Sequence, residues 1–383
     1  MKKSHGDKLK PSDDVTQMSR KGAIARSRSI DHQLNEEREK REKEIQLLIL
    51  GGGGSGKTTF MKQLRLHYGD KFPDEERRLW RPHVFQNVVD AFHRIISNME
   101  VLGEEIKSDE GKASAQELNR LYPKMCYQRL LALENGIHAS PKKNRDQLLL
   151  DLPSEVIKLQ KDPGVKASYA TRNRYPLRLS EAEEYFLNDF ERICAPSYLP
   201  TIKDILFLRK PTVGVQEMCL TINSLNYRVI DVAGQKSQRN KWIHFFEGVT
   251  AVIFFVSLSG FNEMLEEDST MNNLRDSLQT FQEMTHNQYL TKTDVMLFLN
   301  KHDLFMEKMK RFRLAETFPE FRGHNTPDDA LGFIKDEFYR RAPPGKSLYT
   351  HVSCAINVDL MKTIIENVLQ ILVDINLRRT GLM

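Results

Sequence analysis

Long apolar runs are missing from this chain. The longest, AVIFFVSLSGF at residues 251–261, is too short to cross a bilayer and reads as a buried strand. Cysteine is scarce. Cys126, Cys194, Cys219 and Cys354 are scattered with no C-x-x-C pair, which argues against a disulfide framework or a zinc site and suits a reducing cytosol. They read as ordinary buried thiols. No apolar core follows the charged opening MKKSHGDKLK, so no secretory signal is expected. Residue 2 is Lys, not Gly, which excludes the N-myristoylation motif. Excess charge is missing outside one place. Residues 1–30 hold eight Lys or Arg and three Asp or Glu, which accounts for the whole net charge of +5. The remaining body is neutral and offers no basic stripe to a nucleic acid. The basic arm reads equally as a solvated tail and as a weak electrostatic contact for an anionic membrane, at roughly 1 kcal/mol per well-placed cation.

What is present is an ordinary globular composition, 40% hydrophobic and 28% charged, over 383 residues, about two domains by length. Residues 1–25 are polar, with Gly, Pro and Ser, and are expected to be disordered. From Ala25 to Glu44 strong helix formers run without Gly or Pro, with Glu36/Lys40, Glu37/Arg41 and Glu39/Lys43 as favourable i,i+4 pairs. Only Ile30 and Leu34 give that helix an apolar face, so it is expected to project as a solvated helix or a partner contact. Strands are expected at 46–50, 214–222, 226–232, 250–258, 294–300 and 348–353, with Asn223-Ser224 as a hairpin turn. Helical patterns separate most of them, which predicts an α/β sheet with one antiparallel edge. Residues 70–207 show helical periodicity instead. In SEAEEYFLNDFERI, Ser180 and Glu183 form a capping box, and Phe186, Phe190 and Ile193 share one face. An all-helical domain inserted into a loop of the α/β domain is the expectation.

The chemistry starts at Gly51-Gly52-Gly53-Gly54-Ser55-Gly56-Lys57-Thr58, which satisfies G-x-x-x-x-G-K-[ST] between a strand and a helix. The glycines let backbone N–H groups face phosphates, Lys57 reaches the β- and γ-phosphates, and the Thr58 hydroxyl ligates Mg²⁺. VIDVAGQ (229–235) ends a later strand. Asp231 there suits a water on Mg²⁺, Gly234 an N–H to a γ-phosphate, and Gln235 the orientation of an attacking water. In FLNKHD (298–303), the Asp303 carboxylate accepts from guanine N1–H and N2–H₂ and rejects adenine, which would leave it buried and unpaired. Asn300 and Lys301 brace that loop and flank the base. In SCA (353–355) the Ala355 N–H is a donor for guanine O6. LRKPTVG (208–214) offers Thr212 as a second Mg²⁺ ligand and Arg209 as a cation for the transferring phosphoryl group. The ligand read from these residues is GDP or GTP.

With these residues in place, the chain resembles the α subunit of heterotrimeric G proteins from about Arg26 to Met383. The likeness is carried by DVAGQKSQRNKWIHFFEGVTAVIFFVSLS, FLNKHDLF, ICAPSYLPTIKDIL, YTHVSCA and the ending NLRRTGLM. It implies an arm and projecting helix at 1–45, a discontinuous Ras-like P-loop GTPase domain at 46–69 and 208–383 with a mostly parallel six-stranded sheet, and the helical insert at 70–207. It implies slow, Mg²⁺-dependent GTP hydrolysis, with Gly51 to Thr59 on phosphate and Thr58 and Thr212 on the metal. Arg209 is then the arginine finger, Gln235 the water-positioning group, and Asn300, Lys301, Asp303 and Ala355 the guanine readers. Leu206, Phe207 and Leu208 join the nucleotide contacts. Partners implied are a βγ dimer at Ile30, Leu34 and Lys236–Phe246 (Trp242 included), effectors or regulators at the switches, and a seven-helix receptor at Leu377–Met383. The stripe Met361, Ile364, Ile365, Val368, Leu372 and Ile375 reads as core.

The chain also departs from the family. Gly54 stands where the family usually carries Glu, which pairs with the arginine finger. That leaves Arg209 less tethered and predicts faster GDP release. Ala233 replaces the first glycine of D-V-G-G-Q, with little effect expected, and Pro211 stiffens the first switch. No cysteine precedes Cys126, so amino-terminal palmitoylation is excluded. The expected location is the cytoplasmic face of the plasma membrane, or the cytoplasm. A P-loop ATPase or kinase is opposed by Asp303. The remaining alternative is a nucleotide-bound scaffold that signals with little hydrolysis.

Overall fold

The computed structural model describes residues 32, 44–134, 154–172, 175, 178–210, 212, 214–379 and 381. Ile30, Leu34, Pro211, Leu382 and Met383 lie outside them. Six strands form one sheet: β1 (Ile45–Gly51), β2 (Val215–Ile222), β3 (Leu225–Val232), β4 (Ala251–Ser257), β5 (Asp294–Asn300) and β6 (Leu348–Val352), in the order β2-β3-β1-β4-β5-β6. Only β2 and β3 pair antiparallel, so the sheet is parallel with one antiparallel edge, as the sequence patterns predict. Asn223 and Ser224 both take left-handed φ, 50° and 65°, the conformation of a two-residue hairpin turn whose twist matches its strands.

The strands are continuous apolar runs because both faces are covered. Alternation sorts each run. Leu48, Leu50, Val252, Phe254, Leu297 and Leu299 pack with Leu274, Leu278, Phe281, Ile334 and Phe338 from the Asn273–Thr285 and Pro327–Arg341 helices. Leu47, Ile49, Ile253, Phe255, Met296 and Phe298 pack on the other face with Phe60 and Leu64 of the Lys57–Tyr68 helix. The stripe from Met361 to Ile375 on the Val358–Arg379 helix completes that face and is buried throughout.

A third apolar cluster is entirely helical. Val84, Val88, Phe92, Ile95 and Ile96 of the long Asp74–Leu102 helix meet Phe186, Phe190, Ile193 and Leu208. The Ser180–Glu183 capping box forms. The helix it starts ends at Asn188, however, and a short one resumes at Phe190–Cys194. The break falls at Asp189 (φ −110°, ψ 24°), whose carboxylate takes the Arg192 guanidinium (2.8 Å), which also reaches the fully buried Asp204 (2.8 Å). Tyr185, Tyr198 and the Thr201 N–H also donate to Asp204, which fixes the Ile202–Phe207 helix leading to Arg209. Among the described residues no helix is long and apolar enough to cross a membrane.

Candidate nucleotide-binding site

The carboxyl ends of β1, β3, β5 and β6 feed four loops into one cleft beside the helical cluster. The phosphate loop opens at Gly51 and closes at Gly56, which is the N-cap of the Lys57–Tyr68 helix in a left-handed conformation (φ 109°). A side chain at Gly56 would overlap the Asn300 amide, so glycine is required there. Asn300 is the hub of the base-side loops. It donates to the Ser55 carbonyl (2.8 Å) and accepts from the Ser353 hydroxyl (3.2 Å) and the Ala355 N–H (2.9 Å). One buried amide thus ties the phosphate loop, N-K-x-D and S-C-A together.

Two base-side groups already have partners within the chain. The Ala355 N–H, read as a donor to guanine O6, donates to the Asn300 side-chain oxygen. Asp303, read as a buried carboxylate, is exposed on the first turn of the His302–Met309 helix. It bonds the Cys354 thiol, which burial and that carboxylate push up to about 12.

Lys57 is buried, and its ammonium donates to the Gly51 and Gly52 carbonyls, both at 2.8 Å. Burial pulls its pKa down to about 8 against the pull of Asp231. Gly53 and Gly54 are exposed, and Thr59 is half-buried on the helix's first turn. Three oxygens converge beside Lys57: Thr58 Oγ1 lies 2.6 Å from Thr212 Oγ1 and donates to Asp231 Oδ2 at 2.9 Å. Asp231 Oδ1 is buried with no hydrogen-bond partner. Burial raises the Asp231 carboxyl, opposed by the Lys57 charge and by Thr58. An orphaned carboxylate oxygen beside two hydroxyls is an all-oxygen set, which fits Mg²⁺.

Gly234 follows β3 and lies against this group. A Cβ there would overlap the Lys57 ammonium and the Gly51 carbonyl. Gln235, half-buried, leads into a 3-10 helix, Lys236–Phe245. Leu206 and Leu208 bury their side chains, Leu208 in the helical cluster, and half-buried Phe207 stacks on Tyr185 at 3.9 Å.

Arg209 is not loose. Its N–H and carbonyl pair with the Asn87 side-chain amide, both at 3.2 Å, and its guanidinium forms an ion pair with Glu266. The expectation of a poorly tethered Arg209 is therefore corrected: Gly54 offers no carboxylate, but the loop after β4 does.

A family model described as G-alpha, G-protein alpha subunit, matches residues 24–372. The chain belongs to the G-protein alpha subunit family. It is accordingly a GTP-binding signalling switch of the heterotrimeric G-protein type. Members of the family are generally GTPases that bind guanine nucleotides, typically with Mg²⁺, and partner with βγ dimers, receptors and effectors.

Within this alpha subunit the structure adds residues that sequence reasoning missed. Arg239 donates to the Gly234 carbonyl (3.0 Å), to Asp276 (2.7 and 2.9 Å) and to Thr280 (2.7 Å), which binds the 3-10 helix to the Asn273–Thr285 helix. Glu267 accepts from the Lys236 N–H (2.6 Å) and Asp268 from the Lys236 ammonium (2.9 Å). Lys301 reaches across the cleft to Glu181 at 2.8 Å. Apart from Arg239 and Gly234, each pair joins residues far apart in the chain, so no local spacing marks them. Trp242, read as part of a partner surface, is 5% exposed, with its indole N–H on the Ala233 carbonyl (2.9 Å). Its neighbour Ile243, 46% exposed, is the apolar residue that segment exposes beside Lys236, Ser237, Asn240, Lys241 and His244.

Proposed function

We propose that this alpha subunit hydrolyses its bound GTP and couples a membrane receptor to effectors. The observation that carries the hydrolytic reading is the convergence of Thr58, Thr212 and Asp231, with an orphaned carboxylate oxygen, beside Lys57. Thr58 and Thr212 would hold Mg²⁺, with Asp231 acting through a water. The ion would neutralise charge on the β- and γ-phosphate oxygens. Lys57 supplies a buried cation to the same phosphates. Gln235 orients the water whose oxygen attacks the γ-phosphorus as the bond to the bridging oxygen breaks, leaving GDP and phosphate. Arg209 stabilises the charge that develops. Asp303 selects guanine, and Asn300 holds the loops that present it. Turnover is expected to be slow, on the order of 10⁻² s⁻¹, the scale for GTPases with the arginine in cis.

The tail Leu377–Met383 is assigned to the receptor, and Ile30, Leu34 and the Lys236–Phe246 segment to βγ. Location at the cytoplasmic face of the plasma membrane is supported by the basic arm and a lipidated partner.

Single-turnover hydrolysis of preloaded GTP, started with Mg²⁺, tests the catalytic assignment. Wild type is expected to release phosphate over about a minute, and Gln235→Leu to retain its GTP. Intact GTP in both proteins would reject the catalytic roles and favour a nucleotide-bound scaffold.

A further inference from the structure

Arg209 has its main chain fixed by Asn87, but its long side chain must be aimed separately. Among the described residues its ion pair is with the Glu266 carboxylate, while the Glu183 and Glu181 charges act on it without pairing. We propose that Glu266 is the positioning residue of Arg209, holding the guanidinium at the cleft in place of a phosphate-loop side chain. This rests on the reading of Arg209 as the arginine finger.

The phosphate loop cannot do this work. Gly54 has a left-handed φ of 68° and open space where a side chain would stand. Glu266 sits on a loop that is itself well held. Asn272 donates to the Phe261 and Glu263 carbonyls (2.9 and 3.0 Å), and the Leu265 N–H bonds the Met271 carbonyl (2.8 Å). The next two residues grip the other switch: Glu267 and Asp268 take the N–H and ammonium of Lys236, which directly follows Gln235. A single loop thus holds the side chain of Arg209 and the chain next to Gln235, so the two groups that must meet one γ-phosphate are aimed from one support.

The pair is suited to aiming rather than locking. The two side chains are 39% and 65% exposed, so solvent and salt screen their attraction, and Arg209 remains able to share its donors with phosphate oxygens. Partial burial pushes the Glu266 carboxyl up, but the Arg209 charge and hydrogen bond, with Arg94 and Lys301 beyond, hold it below the usual carboxylate range.

Glu266→Gln keeps the side chain's shape and removes its charge. Single-turnover rates and GTP affinities are measured for wild type, Glu266→Gln, Arg209→Ala and the double variant. Glu266→Gln is expected to slow hydrolysis about tenfold, a loss in keeping with a misaimed catalytic group. Its GTP affinity and melting temperature should match wild type. In the Arg209→Ala background it should add nothing, and raising NaCl should slow wild type toward the Glu266→Gln rate. The proposal is overturned if Arg209→Ala slows hydrolysis while Glu266→Gln does not. It is also overturned if Glu266→Gln costs the same with and without Arg209, since it would then act through something else. A wild-type rate in Arg209→Ala would instead remove the finger reading itself, and the proposal with it.

Discussion

Lys62 shows how a single side chain can tie the two parts of the molecule together and carry a pH dependence. It lies inside the Lys57–Tyr68 helix, yet it is buried, and its ammonium donates to the Ile205 and Leu208 carbonyls at 2.8 and 3.1 Å. These carbonyls lie at the end of the helix that leads to Arg209, where unsatisfied acceptors gather. Burial, helped by Lys210, lowers the Lys62 pKa to about 7. The sign follows directly. Between pH 7 and the unfolded lysine value near 10.4, the unfolded chain binds the extra proton, so stability rises with pH across that window and is flat below it. Urea unfolding at pH 6, 7, 8 and 9 should show this rise in wild type beyond any in Lys62→Met. Parallel curves for the two proteins would mean that Lys62 keeps its ordinary pKa.

At the scale of elements, the junction of β3 and the 3-10 helix is where packing sets conformation. Gly234 has no room for a methyl group, because the Lys57 ammonium and the Gly51 carbonyl occupy that space. Its own carbonyl is held by Arg239, which Asp276 holds in turn. Gly234→Ala should push the segment off the phosphate loop and break this chain of contacts. GDP affinity should survive, since Asn300 and the base loops are untouched. Buried Trp242 is expected to change its fluorescence when GTP binds wild type, and this change should be lost in Gly234→Ala. A wild-type fluorescence change in Gly234→Ala would show that the segment moves independently of this contact. The strands themselves were legible to within a residue or so, because runs such as 251–257 are apolar on both faces and end in turn residues. The break at Asp189 was not, because the apolar spacing of Phe186, Phe190 and Ile193 runs straight through it.

For the molecule as a whole, the loops of the site were legible because each combines glycine or a charged signature with a strand end. Asn300 as the tie between three loops, Glu266 on Arg209 and Arg239 on Asp276 were not, because each contact is made by folding rather than by spacing. The same holds for the clasp over the cleft. Glu181, at the start of a helix of the helical layer, meets Lys301, which belongs to the base-reading loop. If a nucleotide leaves between these two parts, loosening the clasp should speed its release. Both side chains are partly exposed, at 36% and 24%, which places the pair with screened surface bridges worth up to about 1 kcal/mol. Glu181→Ala should therefore raise the GDP release rate by no more than about fivefold at low salt, and the difference should shrink as NaCl is added. Stopped-flow displacement of a fluorescent GDP analogue measures this directly. An unchanged rate at low salt would assign retention of the nucleotide to the Asn87–Arg209 and Lys62 contacts, which bind the layers through main-chain groups that salt does not screen.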